Sequence, residues 1–286
     1  MPKRKDNIIF NFGAMFKSTF INNYFIAFCA SVWYLSSAVL INNQLNGNDF
    51  VVSMFLFFST VLMYNLDRIF GDEWSLVKSF VKDILSKNSS LNKTYNKLVF
   101  QLFFALPAIV LFFLMPYKTQ FALAIPAFVA FVYAFPLGQY HVRLRELPFA
   151  KIFSIALVWA WVGSFLCSES ISNRQIILFV ERFLLIYAIT IPFDLRDITA
   201  DQQKNIATIP IKVGVKKSLS SAVLAIVAMF TIIWITDGSI YRMLVGLIGI
   251  TLVLLWNKHQ SWIYYLLVID GCIVLDSIAI LLQHYQ

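Results

Sequence analysis

Charge is what this sequence has least of. Only 13% of its 286 residues are Asp, Glu, Lys or Arg, against about 25% in a soluble domain. Cysteine is scarce as well. Cys29, Cys167 and Cys272 all lie in apolar runs, with no CxxC and no metal spacing, so no disulfide framework is implied and the three read as small buried hydrophobes. The three histidines, His141, His259 and His284, have no mutual helical spacing and stand near the ends of apolar runs. No HExxH, GxSxG or P-loop pattern occurs, so hydrolase and nucleotide-driven pump readings lack their usual warrant. What the chain has in excess is apolar surface, with 59% hydrophobic residues, 28 Phe and 12 Tyr among them. Apolar runs of about 20 residues are bilayer spans. The expected class is therefore an all-α integral membrane protein.

Nine spans are expected, at roughly 19–41, 51–70, 96–115, 119–137, 149–168, 174–192, 218–236, 240–256 and 261–282. They form one membrane domain over 1–286, with the helices around a central cavity. With the amino terminus inside, 19 of the 23 Lys and Arg fall on the inner side, leaving Lys118, Arg174, Arg182 and Arg242 opposite. That asymmetry predicts a cytoplasmic segment 1–18 and cytoplasmic connections at 71–95, 138–148 and 193–217. The basic start lacks a convincing cleavage site, so the first apolar run reads as a retained helix. Short loops suggest a bacterial cytoplasmic membrane, with a eukaryotic organelle as the alternative. The basic residues are spread over short loops, which argues against a nucleic-acid partner. In the 2–3 connection, Trp74, Leu76, Val77, Phe80, Val81, Ile84 and Leu85 recur with helical period between lysines. This is an amphipathic interfacial helix or an ordinary connecting one.

The stretch Ile191 to Gly214, IPFDLRDITADQQKNIATIPIKVG, organises the rest. A helix there stacks Asp194, Asp197 and Asp201 on one side at i, i+3 and i+7. Acids at the mouth of a membrane helix are costly unless something binds there, and hard divalent cations with phosphate oxygens suit them. Solvated loop acids are the plainer alternative.

The string DLRDITADQQKNIATIPIKVG resembles the second aspartate-rich motif of the UbiA-type intramembrane prenyltransferases, DxxDxxxD followed by a TLP-like turn and a glycine. The nine spans with acids on cytoplasmic connections also resemble that family. The resemblance implies transfer of a prenyl group from a prenyl diphosphate to an aromatic or lipid acceptor, with Mg²⁺ bridging the diphosphate. It implies Asp194, Asp197 and Asp201 as catalytic and metal-holding residues, joined by acids at the end of span two. There the family reads NDxxDxxxD, whereas this chain reads Asn65-Leu66-Asp67-Arg68-Ile69-Phe70-Gly71-Asp72-Glu73. Asp67, Asp72 and Glu73 are the metal candidates. Asn65, Arg68 and Asp72 share a helical face, where Arg68 can supplement the charge on a diphosphate. In the 4–5 connection Tyr133, Pro136, Arg143 and Arg145 resemble the family's Tyr and basic segment, although the usual Lys a few residues after the Tyr is absent. Arg143 and Arg145 can hold a diphosphate or simply fix topology, and Lys204 would add charge to the same group. Asp270 and Asp276 lie inside the last span. Asp270 can line an acceptor pocket, or a neighbouring helix can satisfy it. Two rival readings stand: a member of the same fold that binds an isoprenoid without turnover, and a transporter using the acids of the last span. The CDP-alcohol phosphatidyltransferase pattern is missing, since Asp270-Gly271 has no Ala-Arg after it.

Overall fold

The computed structural model describes residues 23–72, 92–135, 143–147, 149–167, 171–203, 206–257, 259–261 and 263–285, with side chains throughout except at 67–72, 92–100, 266 and 267. The amphipathic stretch expected in the 2–3 connection and the amino-terminal segment lie outside the described residues. Among the described residues the structure is all helical. The elements are α1 (Tyr24–Asn42), α2 (Gly47–Asp72), α3 (Asn92–Leu114), α4 (Tyr117–Ala122), α5 (Ala124–Ala134), a 3₁₀ turn (Leu144–Glu146), α6 (Ala150–Phe165), α7 (Asn173–Gln203), α8 (Ile209–Val213), α9 (Val215–Thr236), α10 (Ile240–Leu254), a π-helical turn (Tyr264–Ile269) and α11 (Gly271–His284). Counting α4 with α5 and the π turn with α11, and leaving the short α8 aside, nine helical units among the described residues fall on the nine expected spans. Five of them, Tyr24–Asn42, Gly47–Leu66, Tyr117–Ala134, Asn173–Gln203 and Val215–Thr236, are long and apolar enough to cross a membrane, and the other four are shorter apolar helices.

Neighbours in sequence pack as neighbours in space, because short connections leave a helix nowhere else to go. α1 packs on α2, α2 on α3 and α5, α5 on α6, α6 on α7, α7 on α9, α9 on α10, and α10 on α11, which returns to α1. The result is a closed ring of helices, with α1 also touching α6. Its outer surface is apolar: Phe113, Phe121, Phe128 and Ile235 are all well exposed, as suits groups that face lipid tails. Its interior holds the charges. Glu181, Arg182, Asp194, Arg242 and Asp276 each keep only 1% of their surface. An integral, multi-pass membrane protein is the arrangement that reconciles both facts.

Two buried arginines join the interior. Arg182 on α7 donates to the carbonyls of Trp33 (2.7 Å) and Gly163 (2.8 Å) and to the Ser36 hydroxyl (3.0 Å). Its guanidinium lies 3.9 Å from the centre of the Trp33 ring, so one side chain ties α7 to α1 and α6. Gly163 is glycine for want of room: a Cβ there would run into Trp33 and Arg182. Arg242 on α10 meets Glu181 of α7 at 2.7 Å, Asp237 at 3.0 Å and Asp276 of α11 at 3.4 Å. Asp276 is thereby accounted for as a structural partner of Arg242.

α7 is longer than the sixth span expected from hydropathy. Rather than ending near residue 192, it runs through Pro192 to Gln203. Proline inside a helix forfeits one backbone hydrogen bond, but the helix continues, and the acids belong to its last turns rather than to a separate connection.

Removing the charge of Arg242 strands two buried carboxylates, Glu181 and Asp276, in a low-dielectric interior and unpairs the partly exposed Asp237. Arg242→Ala is expected to cost about 3–5 kcal/mol, read as a large fall in thermal midpoint in detergent. The triple replacement Glu181→Gln, Arg242→Met, Asp276→Asn is expected to recover most of it.

Candidate active site

The site is set by the pitch of α7. At about 100° per residue, Asp194 and Asp201 come back to nearly the same direction after seven residues, while Asp197 stands about 60° to one side. The structure follows that geometry. Asp194 and Asp201 are buried, keeping 1% and 5% of their surface. Asp197 turns away and pairs with Arg196, which donates from Nε and Nη2 at 2.7 and 2.9 Å.

Between the two buried acids stands Lys151. Its ammonium lies 2.8 Å from Asp194 Oδ1 and 3.2 Å from Asp201 Oδ2. Lys151 is the second residue of α6, an end of the helix whose dipole repels a cation, and it is 9% exposed. Two carboxylates facing one way compensate for both costs. The turn that delivers it is strained. Phe149, the residue before α6, has φ 63°, a left-handed conformation that a non-glycine residue enters at a cost of about 1–2 kcal/mol. Its N–H donates to the carbonyl of Ala207 at 3.3 Å, which clamps the start of α6 onto the strand of chain that follows α7. The next residue, Thr208, opens α8 with Pro210 in its first turn, and Gly214, at φ 86°, closes it and leads into α9. The turn and glycine noted in the sequence thus form a short helix that hands the chain back to the membrane.

Other sequence candidates gather at the same end of the ring. α1 and α6 run parallel, as the hydrogen bond from Trp33 Nε1 to the Trp159 carbonyl and the bond from Ser37 to the Gly163 carbonyl show. The start of α1 is therefore level with the start of α6. Asn23 there donates to Asn65 Oδ1 of α2 at 3.3 Å, and Asn65 is buried. The 3₁₀ turn before α6 is closed reciprocally by Arg143 and Glu146: Glu146 accepts from the Arg143 backbone at 3.1 Å and from its Nη2 at 2.7 Å. The Arg145 guanidinium lies 5.8 Å from the centre of the Tyr133 ring on α5. Asp67, Arg68 and Asp72 sit on the last turns of α2, but their side chains are outside the description, and Glu73, Pro136 and Lys204 lie outside the described residues altogether. Asp270 is buried at the junction of the π turn and α11, where its N–H reaches the Tyr265 carbonyl at 3.3 Å. The Arg196 guanidinium stacks 4.9 Å from the centre of the Tyr265 ring, which brings a positive charge into the same neighbourhood.

Lys151 is the residue that sequence reasoning undervalues. In the sequence it counts as a positive charge that fixes topology, yet a lysine at the head of an otherwise apolar span is itself a signal of a buried partner. Three carboxylates balanced by Lys151 and Arg196 leave one net negative charge. One oxygen, Asp194 Oδ2, is buried with no hydrogen-bond partner among the described residues, and so is the Thr208 hydroxyl. Among the described residues no three of His, Cys, Asp and Glu come together as a metal-ligand group.

The architecture is that of an intramembrane helical ring with an acid-rich end. Compared with known proteins, the chain matches no family model and no curated protein. Solved structures do match it. A UbiA homologue from Archaeoglobus fulgidus bound to GPP and Mg²⁺ aligns over 93% of this chain and 98% of its own, with a TM-score of 0.62 at 12% identity. The same homologue bound to DMAPP and Mg²⁺ aligns over 92% and 97%, again at 0.62, with 11% identity. A digeranylgeranylglyceryl phosphate synthase of membranes aligns over 92% and 94%, with a TM-score of 0.57 at 18% identity. The chain has the UbiA-type prenyltransferase fold. At these identities the likeness is one of fold.

The two ion pairs of the site differ in burial and therefore in worth. Lys151→Ala leaves two buried carboxylates without their cation and is expected to cost about 3–5 kcal/mol. Asp197→Ala removes only a partly exposed pair and is expected to cost less than about 1 kcal/mol. Thermal unfolding of the two variants side by side checks the contrast.

Proposed function

We propose that this protein is a Mg²⁺-dependent prenyltransferase that moves a prenyl group from a prenyl diphosphate to an aromatic or lipid acceptor within the membrane. One observation carries the reading. In a fold shared with homologues solved with prenyl diphosphates and Mg²⁺, α7 presents Asp194, Asp197 and Asp201 at the end of the ring where Asn65, Lys151 and the basic turn before α6 also lie. Carboxylate oxygens suit Mg²⁺, and Asp194 Oδ2 is a buried oxygen with no hydrogen-bond partner among the described residues. The donor type therefore suits the ion, although the described acids do not converge as a group of three. Asp194, Asp197 and Asp201 would hold it, with Asp67, Asp72 and Glu73 contributing from the end of α2. Bound there, Mg²⁺ would neutralise the charge that grows on the departing diphosphate.

The chain's own groups do the rest. Arg68, Arg143, Arg145 and Lys204 supply positive charge to the diphosphate, Arg through paired N–H donors. The bond between the prenyl carbon and the diphosphate oxygen breaks with its electron pair going to oxygen, which leaves an allylic cation. Ring faces stabilise such a cation, and Phe193, which precedes Asp194, and Tyr265 have ring centres 5.5 Å apart and already face one cation, the Arg196 guanidinium, at 5.3 and 4.9 Å. Asp270 accepts a hydrogen bond from the acceptor, which attacks the cation and loses a proton. A second reading rests on the same end of α2: with the family pattern anchored on Asn65, Leu66 and Ile69 stand where acids are expected, and such a site binds an isoprenoid diphosphate without turning it over. The opening faces the cytoplasm in both readings.

Purified protein is expected to release diphosphate from prenyl diphosphates only with Mg²⁺, and Asp197→Asn to abolish release without lowering the unfolding temperature. Mg²⁺-dependent binding without release, with candidate acceptors supplied, would establish the second reading. Orientation has its own check: a membrane-impermeant maleimide added to intact cells is expected to modify Lys118→Cys and to leave Ser89→Cys untouched, in a background without the native cysteines.

A further inference from the structure

Each of the three acids in the last turns of α7 faces a cation through at least one oxygen. Asp194 Oδ1 and Asp201 Oδ2 face Lys151 at 2.8 and 3.2 Å, and both oxygens of Asp197 face Arg196. Asp194 Oδ2 is buried without a partner among the described residues. An ammonium carries three N–H donors, and the carboxylates take two of those on Lys151. One residue from the carbonyl that pins Phe149, the Thr208 hydroxyl is likewise buried and unpaired. The end of α6 is held in this place by a left-handed, non-glycine turn, and strain of that kind persists only where the surroundings enforce it.

We propose that Lys151 is a built-in cation that takes the place of one metal ion in this site and holds the diphosphate directly. This deepens the prenyltransferase reading and rests on it. The acids of α7 then have coordinating capacity for a single divalent ion, at Asp194 Oδ2, while the third N–H of Lys151 and the Thr208 hydroxyl donate to diphosphate oxygens. Removing Lys151 has two effects of opposite sign. The acids gain metal, because the charge that competes with a second ion is gone. The diphosphate loses a charge-assisted hydrogen bond, worth about ten- to a hundredfold in affinity. A lysine that served packing alone would produce neither.

The test uses the full chain in lipid nanodiscs. Mn²⁺ bound per chain is counted by electron paramagnetic resonance with inorganic diphosphate present, and binding of geranyl diphosphate is measured by calorimetry in EDTA. Wild type is expected to take a single Mn²⁺ and to bind geranyl diphosphate measurably without metal. Lys151→Gln is expected to take a second Mn²⁺ and to lose metal-free binding by about ten- to a hundredfold, and Lys151→Arg to behave as wild type in the Mn²⁺ count. Two Mn²⁺ on wild type, or equal metal-free binding by wild type and Lys151→Gln, overturns the proposal and leaves the prenyltransferase reading standing. Wild type that binds no geranyl diphosphate with or without metal overturns both. The wild-type measurements are decisive by themselves if Lys151→Gln does not fold.

Discussion

A carboxylate inside a ring of membrane helices has to be met by a partner, and for the buried acids of α7 that partner is a cation. α7 carries the problem at both ends. Towards its start, Glu181 is met by Arg242, which also collects Asp237 and Asp276 from neighbouring elements. Towards its finish, Asp194 and Asp201 are met by Lys151. With about 1.5 Å of rise per residue, the two clusters stand roughly 20 to 30 Å apart along one helix. The ring of helices is what supplies the partners, since Lys151 and Arg242 each come from a different element than the α7 acids they serve. Pairing of this kind adds little net stability against an apolar alternative, but it makes the arrangement unforgiving of losing one member.

The two clusters differ in what surrounds them. Arg182 is bonded to two carbonyls and a hydroxyl and stacked on Trp33, and its neighbours leave no space even for a methyl group at Gly163. That end reads as a fastening. At the other end a carboxylate oxygen and a hydroxyl lack partners, a backbone turn is strained, and half-exposed Arg196 and Asp197 lie beside them. Glu181 Oε1, Arg182 Nε and Asp276 Oδ2 at the first end lack partners among the described residues as well, so what sets the second end apart is the strained turn and the partly exposed ion pair beside it.

Nine spans were legible in the sequence because hydropathy reports each helix locally, and among the described residues nine helical units lie on the apolar runs. The acids of α7 were legible for the same reason, their spacing being a property of one helix. Lys151 was not, because its meaning depends on Asp194 and Asp201, which arrive 43 and 50 residues later. Nor did anything local tell that Arg242 would meet Glu181 from 61 residues away, or that Asp276 would belong to that arginine and Asp270 to the neighbourhood of Arg196. The end of span six was misplaced because hydropathy falls at Asp194 while helical structure does not. A helix can leave the apolar register and still be held by what its polar face meets.

The partnership of Glu181 with Arg242 and Asp276 has a consequence for how the chain is made. Synthesis proceeds from the amino terminus, so α7 reaches the membrane with Glu181 and Arg182 in its apolar stretch before α10 and α11 exist. Arg182 finds Trp33, Ser36 and Gly163 already in place on α1 and α6, so its pairing is available on arrival. Glu181 has to wait for Arg242. In the interval α7 is a helix with one unmatched acid, and only the emergence of α10 turns it into a settled member of the ring. The last helices are thus the step that commits the earlier ones, and the ring closes in time as it closes in space, with α11 returning to α1.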